Sequence, residues 1–202
     1  MKNSNKSFGF DLDNTLVNYS ISAQIYSRSN NLEKCEDISS LRSLLKTNDP
    51  TGRRWQEAQS WIYTEGLSFA YPNTGAKELC SYLESNNFKL QIVSHKTTHT
   101  PKFCGEKPLR NLATQWIKES ELSKYFSNEE MIHYESTRLN KVKKIKSLNL
   151  NYFVDDLIEI FTEHEYPKEI NSYLLCSYEI DIPWVKKISS LLDLKENIKH
   201  ES

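Results

Sequence analysis

The amino-acid sequence predicts an α/β fold in which helices cover a central parallel sheet, interrupted once by a small helical insertion. Two observations lead there. Apolar runs of strand length alternate with helical patterns, and the stretch from about 19 to 72 contains no convincing strand. Strands that alternate with helices require crossover connections, and crossovers produce parallel sheets covered on both faces.

The strand-length runs are Phe8–Asp13, Phe88–Val93, Met131–Tyr134, Leu150–Val154 and Ile170–Cys176. After Asn73 or Thr74 as a possible cap, Leu79, Cys80 and Leu83 share one helical face. Leu109, Leu112, Ala113, Trp116 and Ile117 repeat at the three-and-four spacing of a buried stripe, and Val142, Ile145 and Leu148 do so more weakly. Near the end, Pro183 suits a first helical turn, with Trp184, Val185, Ile188, Leu191 and Leu192 as the apolar face. The polar tail from Lys195 reads as frayed. Within the insertion, helical pieces over about 20–46 and 52–65 flank the turn signal Asn48-Asp-Pro-Thr-Gly52. The insertion is too long for a simple βα loop. Trp55, Trp61, Trp116 and Trp184 lie near apolar helical faces and read as core.

Composition excludes several classes of function. A chain of 202 residues buries roughly 70% of its unfolded surface and needs no staples. Lys+Arg is 26 against Asp+Glu 27, a net charge of -1, so long-range attraction to nucleic acid or acidic lipid is not the expected basis of function. The longest apolar run, Tyr173–Cys176, excludes a membrane-spanning helix. The segment Met1–Ser7 shows no signal-peptide pattern, so a cytoplasmic location is expected. Cys35, Cys80, Cys104 and Cys176 form no CxxC pair and read as reduced thiols. Nothing in the sequence specifies an oligomeric state.

The chemistry concentrates at strand ends. Asp11 and Asp13 close the first apolar run, two positions apart and so on one face. Asp155 and Asp156 follow another apolar strand, and Ser94 ends a third. Ligands of open α/β sheets bind at this carboxyl edge. Adjacent carboxylates repel, and a hard divalent ion such as Mg2+ relieves them. A basic helix start, Asn140-Lys141-Val-Lys143-Lys144, precedes the second acid pair. Acids, a metal, a hydroxyl donor and a lysine together suit phosphoryl transfer. Acid pairs at strand ends also cap helices and turns, but two pairs with Ser94 and a lysine in order favour the chemical reading.

The ordered set resembles the haloacid dehalogenase-like (HAD) hydrolase superfamily. Its DxDxT motif is matched by Asp11, Asp13 and Thr15 followed by Leu16, its second motif by Ser94, its third by a lysine, and its fourth by Asp155-Asp156. The resemblance covers about residues 7–160 and implies a three-layer Rossmannoid core over 1–18 and 73–202, with a helical cap at 19–72. It further implies Mg2+-dependent phosphomonoester hydrolysis through an aspartyl-phosphate. Asp11 would be nucleophile and metal ligand. Asp13 would be general acid and base, with its main-chain carbonyl on the metal, and Thr15 would orient its loop. Ser94 would bind phosphate, and Lys141 would neutralise charge, with Lys144 as the alternative. Asp156 would ligate the metal directly and Asp155 would support it.

His95 joins the phosphate-binding set, and Lys96 stands beside it as a substrate contact. A zinc site of His95, His99, Cys104 and His133 is the less favoured reading of the same loop. Arg53 and Arg54 either bind a second anionic group of the substrate or are surface charges. The expected substrate is a small phosphorylated metabolite. Similarity of Gly52–Tyr63, Ser94–Thr97 and Phe153–Leu157 to HAD-like proteins encoded among surface-glycan genes points to sugar phosphates. The Asp-Asp form of the fourth motif occurs in deoxyribonucleotidase-like members and points to nucleotides. A polynucleotide end phosphatase is disfavoured by the near-neutral charge, and membranes are not expected partners. A non-catalytic binding or regulatory protein of the same fold is the remaining alternative.

Overall fold

The computed structural model describes residues 6–201; Met1–Asn5, the start of the segment without a signal-peptide pattern, lies outside the described residues. Among the described residues eight strands run in chain order: β1 (Ser7–Phe10), β2 (Val17–Asn18), β3 (Tyr71–Pro72), β4 (Lys89–His95), β5 (Ile132–Glu135), β6 (Tyr152–Asp155), β7 (Asn171–Leu175) and β8 (Val185–Ile188). The eight α-helices are α1 (Ser20–Ser29), α2 (Ile38–Asn48), α3 (Arg53–Ile62), α4 (Ala76–Ser85), α5 (Leu109–Glu119), α6 (Arg138–Ser147), α7 (Ile158–Phe161) and α8 (Leu191–Glu201). Six strands form one sheet in the order β5-β4-β1-β6-β7-β8, with parallel pairing throughout, while β2 and β3 form a separate two-stranded sheet.

The chain divides into two compact units, one of Met1–Leu16, Pro72–Lys96 and Ile117–Ser202, the other of Val17–Tyr71 and Thr97–Trp116. Thr97–Trp116 thus falls in the second unit.

In the first unit, alternation along β1 sends Phe8 and Phe10 to one face and Gly9 to the other. Phe8 stacks on Tyr152 at 5.6 Å, and Phe10 meets Phe126 edge-on at 6.1 Å. Opposite them, Val142 and Ile145 of α6 pack with Val93, Leu150, Phe153, Phe161 and Leu174. Gly9 leaves the room this packing uses, since a β-carbon there would lie 2.4 Å from Leu150. Leu79, Cys80 and Leu83 of α4 are buried as their spacing predicts.

Two C-terminal expectations are corrected. Pro183 opens no helix: Pro183-Trp184 is a turn closed by Val185 N donating to Ile182 O at 3.0 Å, and β8 follows. Proline suits the second position of a turn as well as a first helical turn, and Val185 and Ile188 are too few residues to separate the two periods. The helix starts later, where the Ser190 hydroxyl accepts from Asp193 N at 3.1 Å. Over its described residues the tail from Lys195 is not frayed, because α8 continues to Glu201 and Ile198 is fully buried. The four tryptophans are only partly buried, and Trp116 and Trp184 turn their indole N–H toward main-chain carbonyls of Ala70 and Phe161.

In the second unit the first predicted helical piece is split into α1 and α2. Asp37 caps α2, accepting from Ser40 N at 2.8 Å while Ser40 Oγ accepts from Asp37 N. Asp49 then ties the turn before α3, accepting from Thr51 N and Arg54 N. All four cysteines are free, and burial pushes the thiols of Cys35, Cys80 and Cys176 upward.

Gly75 opens α4 at φ 84°, and a β-carbon there would lie 2.7 Å from Leu192 N, a main-chain atom that cannot swing aside. The left-handed conformation alone costs a non-glycine residue about 1–2 kcal/mol. Gly75→Ala is therefore expected to lower the melting temperature by at least about 3–8 °C. Differential scanning calorimetry checks this, and an unchanged transition would contradict the packing of α8 on α4.

Candidate active site

Parallel pairing brings the ends of β1, β4 and β6 to one edge. The registers Phe10↔Ile92 and Phe10↔Val154 align the three strands, and Asp11 N donates to Val154 O at 2.9 Å. That bond extends the ladder by one residue and fixes Asp11 beside Asp155. After Leu12 the chain turns back, with Leu16 N on Leu12 O and Asn14 in the left-handed region at φ 62°. Asparagine tolerates that conformation better than most residues.

Lys141 lies on the first turn of α6, whose N-cap Thr137 accepts from Asn140 N at 3.1 Å. Its side chain is fully buried. The ammonium ion-pairs with Asp11 Oδ1 and, at 2.6 Å, with Asp155 Oδ2. Asp155 uses its other oxygen to accept from Leu157 N at 2.9 Å. Lys144, the alternative lysine, is only partly buried and sits where its charge acts on His133.

Asp13 turns to a different lysine. Lys96 is 4% exposed, and its Nζ lies 2.7 Å from Asp13 Oδ2 and 3.0 Å from Oδ1. Lys96, a candidate substrate contact from the sequence, has its ammonium on an aspartate. Ser94 and Lys96, two positions apart, turn inward, while His95 points the other way with Nε2 3.2 Å from Ser136 O. Burial, with Lys141 and Arg138 nearby, holds the His95 ring below its ordinary value.

The hydroxyls of Ser94 and Thr15 are buried and meet no protein hydrogen-bond partner. A buried polar atom left unpaired is costly, so each marks a place where a ligand or water is called for. The turn around Thr15 is held from its main chain: Asn73 Nδ2 donates to Asn14 O and Thr15 O, both at 3.1 Å, and Asn73 N donates to Leu16 O at 2.8 Å. The sequence marked Asn73 only as a possible helix cap, and nothing local signals its reach across the chain.

Asp11, Asp155 and Asp156 offer carboxylate oxygens within 4.8 Å of one another, the one such cluster of acidic, histidine or cysteine side chains among the described residues. Burial raises the Asp11 carboxyl to about 7, although Lys141 pulls it down and Asp155 and Asp13 add to the rise. Burial of the Asp156 carboxyl, with Asp155 and Asp11 close by, pushes it well above the usual carboxylate range. Burial works to lower Lys141, yet Asp11 and Asp155 together hold it above its ordinary value. Crowded oxygen donors whose charged forms are penalised are what a hard divalent cation relieves, so this donor set fits one.

In the second unit, Arg53 is engaged by Glu57 at 3.1 Å and lies over the Phe103 ring at 4.7 Å. His133 Nε2 lies 2.9 Å from Gln91 Oε1.

No protein-family model and no curated protein matches the chain. Solved structures do. A predicted phosphatase from Clostridium acetobutylicum superposes with a TM-score of 0.61 at 18% identity, covering 98% of this chain and 100% of its own. A haloacid dehalogenase-like family hydrolase from Streptococcus pneumoniae gives 0.59 at 17%, covering 98% and 99%. A predicted phosphoglycolate phosphatase from Haemophilus somnus gives 0.55 at 15%, covering 98% and 100%. The chain has the HAD-like fold. No helix among the described residues is long and apolar enough to cross a membrane.

A carboxyl raised from 3.8 to about 7 binds its proton more tightly in the folded chain than in the unfolded one. Its contribution to stability is full below about pH 4 and is lost as pH rises through about 7. His95 and His133, both lowered, act in the opposite sense, so the informative quantity is a difference. Without metal, Asp11→Asn is expected to gain stability relative to wild type as pH rises from about 5 to about 8. Parallel thermal melts in a chelator check this, and a pH-independent difference would contradict the environment assigned to Asp11.

Proposed function

We propose that the protein is a Mg2+-dependent phosphomonoester hydrolase acting on a small phosphorylated metabolite, a sugar phosphate or a nucleotide, through an aspartyl-phosphate. The observation that carries this reading is the charge set at the carboxyl edge of the sheet. Asp11 is buried against Lys141 and clustered with Asp155 and Asp156, and the unpartnered Ser94 hydroxyl ends the neighbouring strand. Structural neighbours that include a predicted phosphatase and a predicted phosphoglycolate phosphatase support it.

Asp11, Asp156 and the main-chain carbonyl of Asp13 would hold the metal, with Asp155 in support. A bound divalent cation supplies positive charge that offsets repulsion between carboxylate and phosphate. In the first step the Asp11 carboxylate forms a bond to phosphorus, the bond from phosphorus to the ester oxygen breaks, and the Asp13 carboxyl gives its proton to that oxygen. In the second, water attacks phosphorus, Asp13 takes the water proton, and the bond to Asp11 breaks to release phosphate. Ser94 donates to a phosphoryl oxygen, and Lys141 keeps Asp11 aimed while balancing its charge. In this reading the second compact unit serves as the cap, and the protein works in the cytoplasm.

Phosphate release with Mg2+ from sugar phosphates, nucleoside monophosphates and a 3′-phosphorylated oligonucleotide tests the reading. Turnover of one small-molecule class is expected, lost by at least about a thousandfold in Asp11→Asn and abolished by EDTA. Full activity in Asp11→Asn would overturn it. Preference for the oligonucleotide would move the substrate to strand ends.

A further inference from the structure

We propose that Lys96 is a positioning residue for leaving-group protonation, holding the Asp13 carboxyl group where it meets the departing oxygen. This inference rests on the phosphatase reading and adds a second lysine to its machinery, one whose task differs from that of Lys141.

Lys96 Nζ contacts both carboxylate oxygens of Asp13, at 2.7 and 3.0 Å, with the lysine side chain only 3% exposed and that of Asp13 12% exposed. Removing an ammonium from water costs several kcal/mol and persists only where a partner of good geometry repays it. A surface-seeking lysine drawn inward to one aspartate is therefore a specific arrangement. Its backbone is fixed as well, since Lys96 N donates to Glu135 O at 2.9 Å and so extends the pairing of β4 with β5. The side chain starts from the end of β4 and reaches the turn that follows β1. Asp13 follows β1, and the turn after it is held by Asn73 through Asn14 O and Thr15 O. Main-chain contacts hold the turn, and the contact of Lys96 Nζ with both Asp13 oxygens bears on the orientation of the carboxyl group.

The two lysines divide the four carboxylates. Lys141 takes Asp11 and Asp155, and Lys96 takes Asp13. Lys96 thus stays with the proton-transfer group when the metal and Lys141 are occupied with the nucleophile. In this assignment it acts through Asp13.

The test uses the whole protein with Mg2+ and two esters: p-nitrophenyl phosphate, whose nitrophenolate departs without a proton, and an alkyl phosphate drawn from the substrates wild type turns over. Lys96→Met and Lys96→Gln are expected to lower kcat/KM for the alkyl ester by about a hundredfold, and for p-nitrophenyl phosphate by less than about fivefold. Asp13→Asn should show the same split. Adding Lys96→Met to Asp13→Asn should cost nothing further, because the two act as a unit. Thermal melts establish that each variant is folded, and the glutamine variant keeps a donor in place if methionine is not tolerated. Equal losses on both esters, or multiplying losses in the double variant, would overturn the role while leaving the phosphatase standing. A wild-type protein inert toward every ester would overturn both.

Discussion

The structure depends on one buried cation. Lys141 sits with no exposed side-chain surface between Asp11 and Asp155, and three elements must be in place for it to exist there. Adjacent pairing of β1 and β6 supplies the two acids side by side, and the capped start of α6 delivers the amine from above the sheet edge. Moving any of these would leave a buried charge without its partner, at a cost of about 3–5 kcal/mol. The apolar packing of Val142 and Ile145 beneath the same helix secures the arrangement. The lysine to which the proposed function gives a chemical role is thus also the one that fixes α6 to the sheet.

Burial, with neighbouring carboxylates adding to it, raises the proton affinity of Asp11 and Asp156. A site in this condition is prepared for positive charge, and the unpartnered hydroxyls of Ser94 and Thr15 are prepared for hydrogen bonding. These are costs to the fold that, under the proposed function, a cation and an anionic ligand would remove.

Much of this was legible in the sequence because strand alternation is short-range. The apolar runs located five of the six strands of the main sheet, and the acid pairs at two of their ends announced the site. Helix facing favours Lys141 over Lys144, since Val142 and Ile145 define the buried stripe. What escaped depends on distance or on degenerate patterns. Pro183 serves a turn and a helix start equally, which hid β8. The Ser190 to Asp193 cap, read from the sequence, would have located α8. The reach of Lys96 to Asp13 and of Asn73 to the turn crosses between segments, and local periodicity carries no trace of either.

The central claim is that Asp11 itself carries the phosphoryl group in passing. Rapid acid quench of the working enzyme, followed by peptide mass mapping, tests it directly. The account predicts a transient phosphoryl adduct on Asp11, convertible to homoserine by borohydride. Sustained phosphate release with no adduct at Asp11, or with the adduct on another side chain, would contradict it.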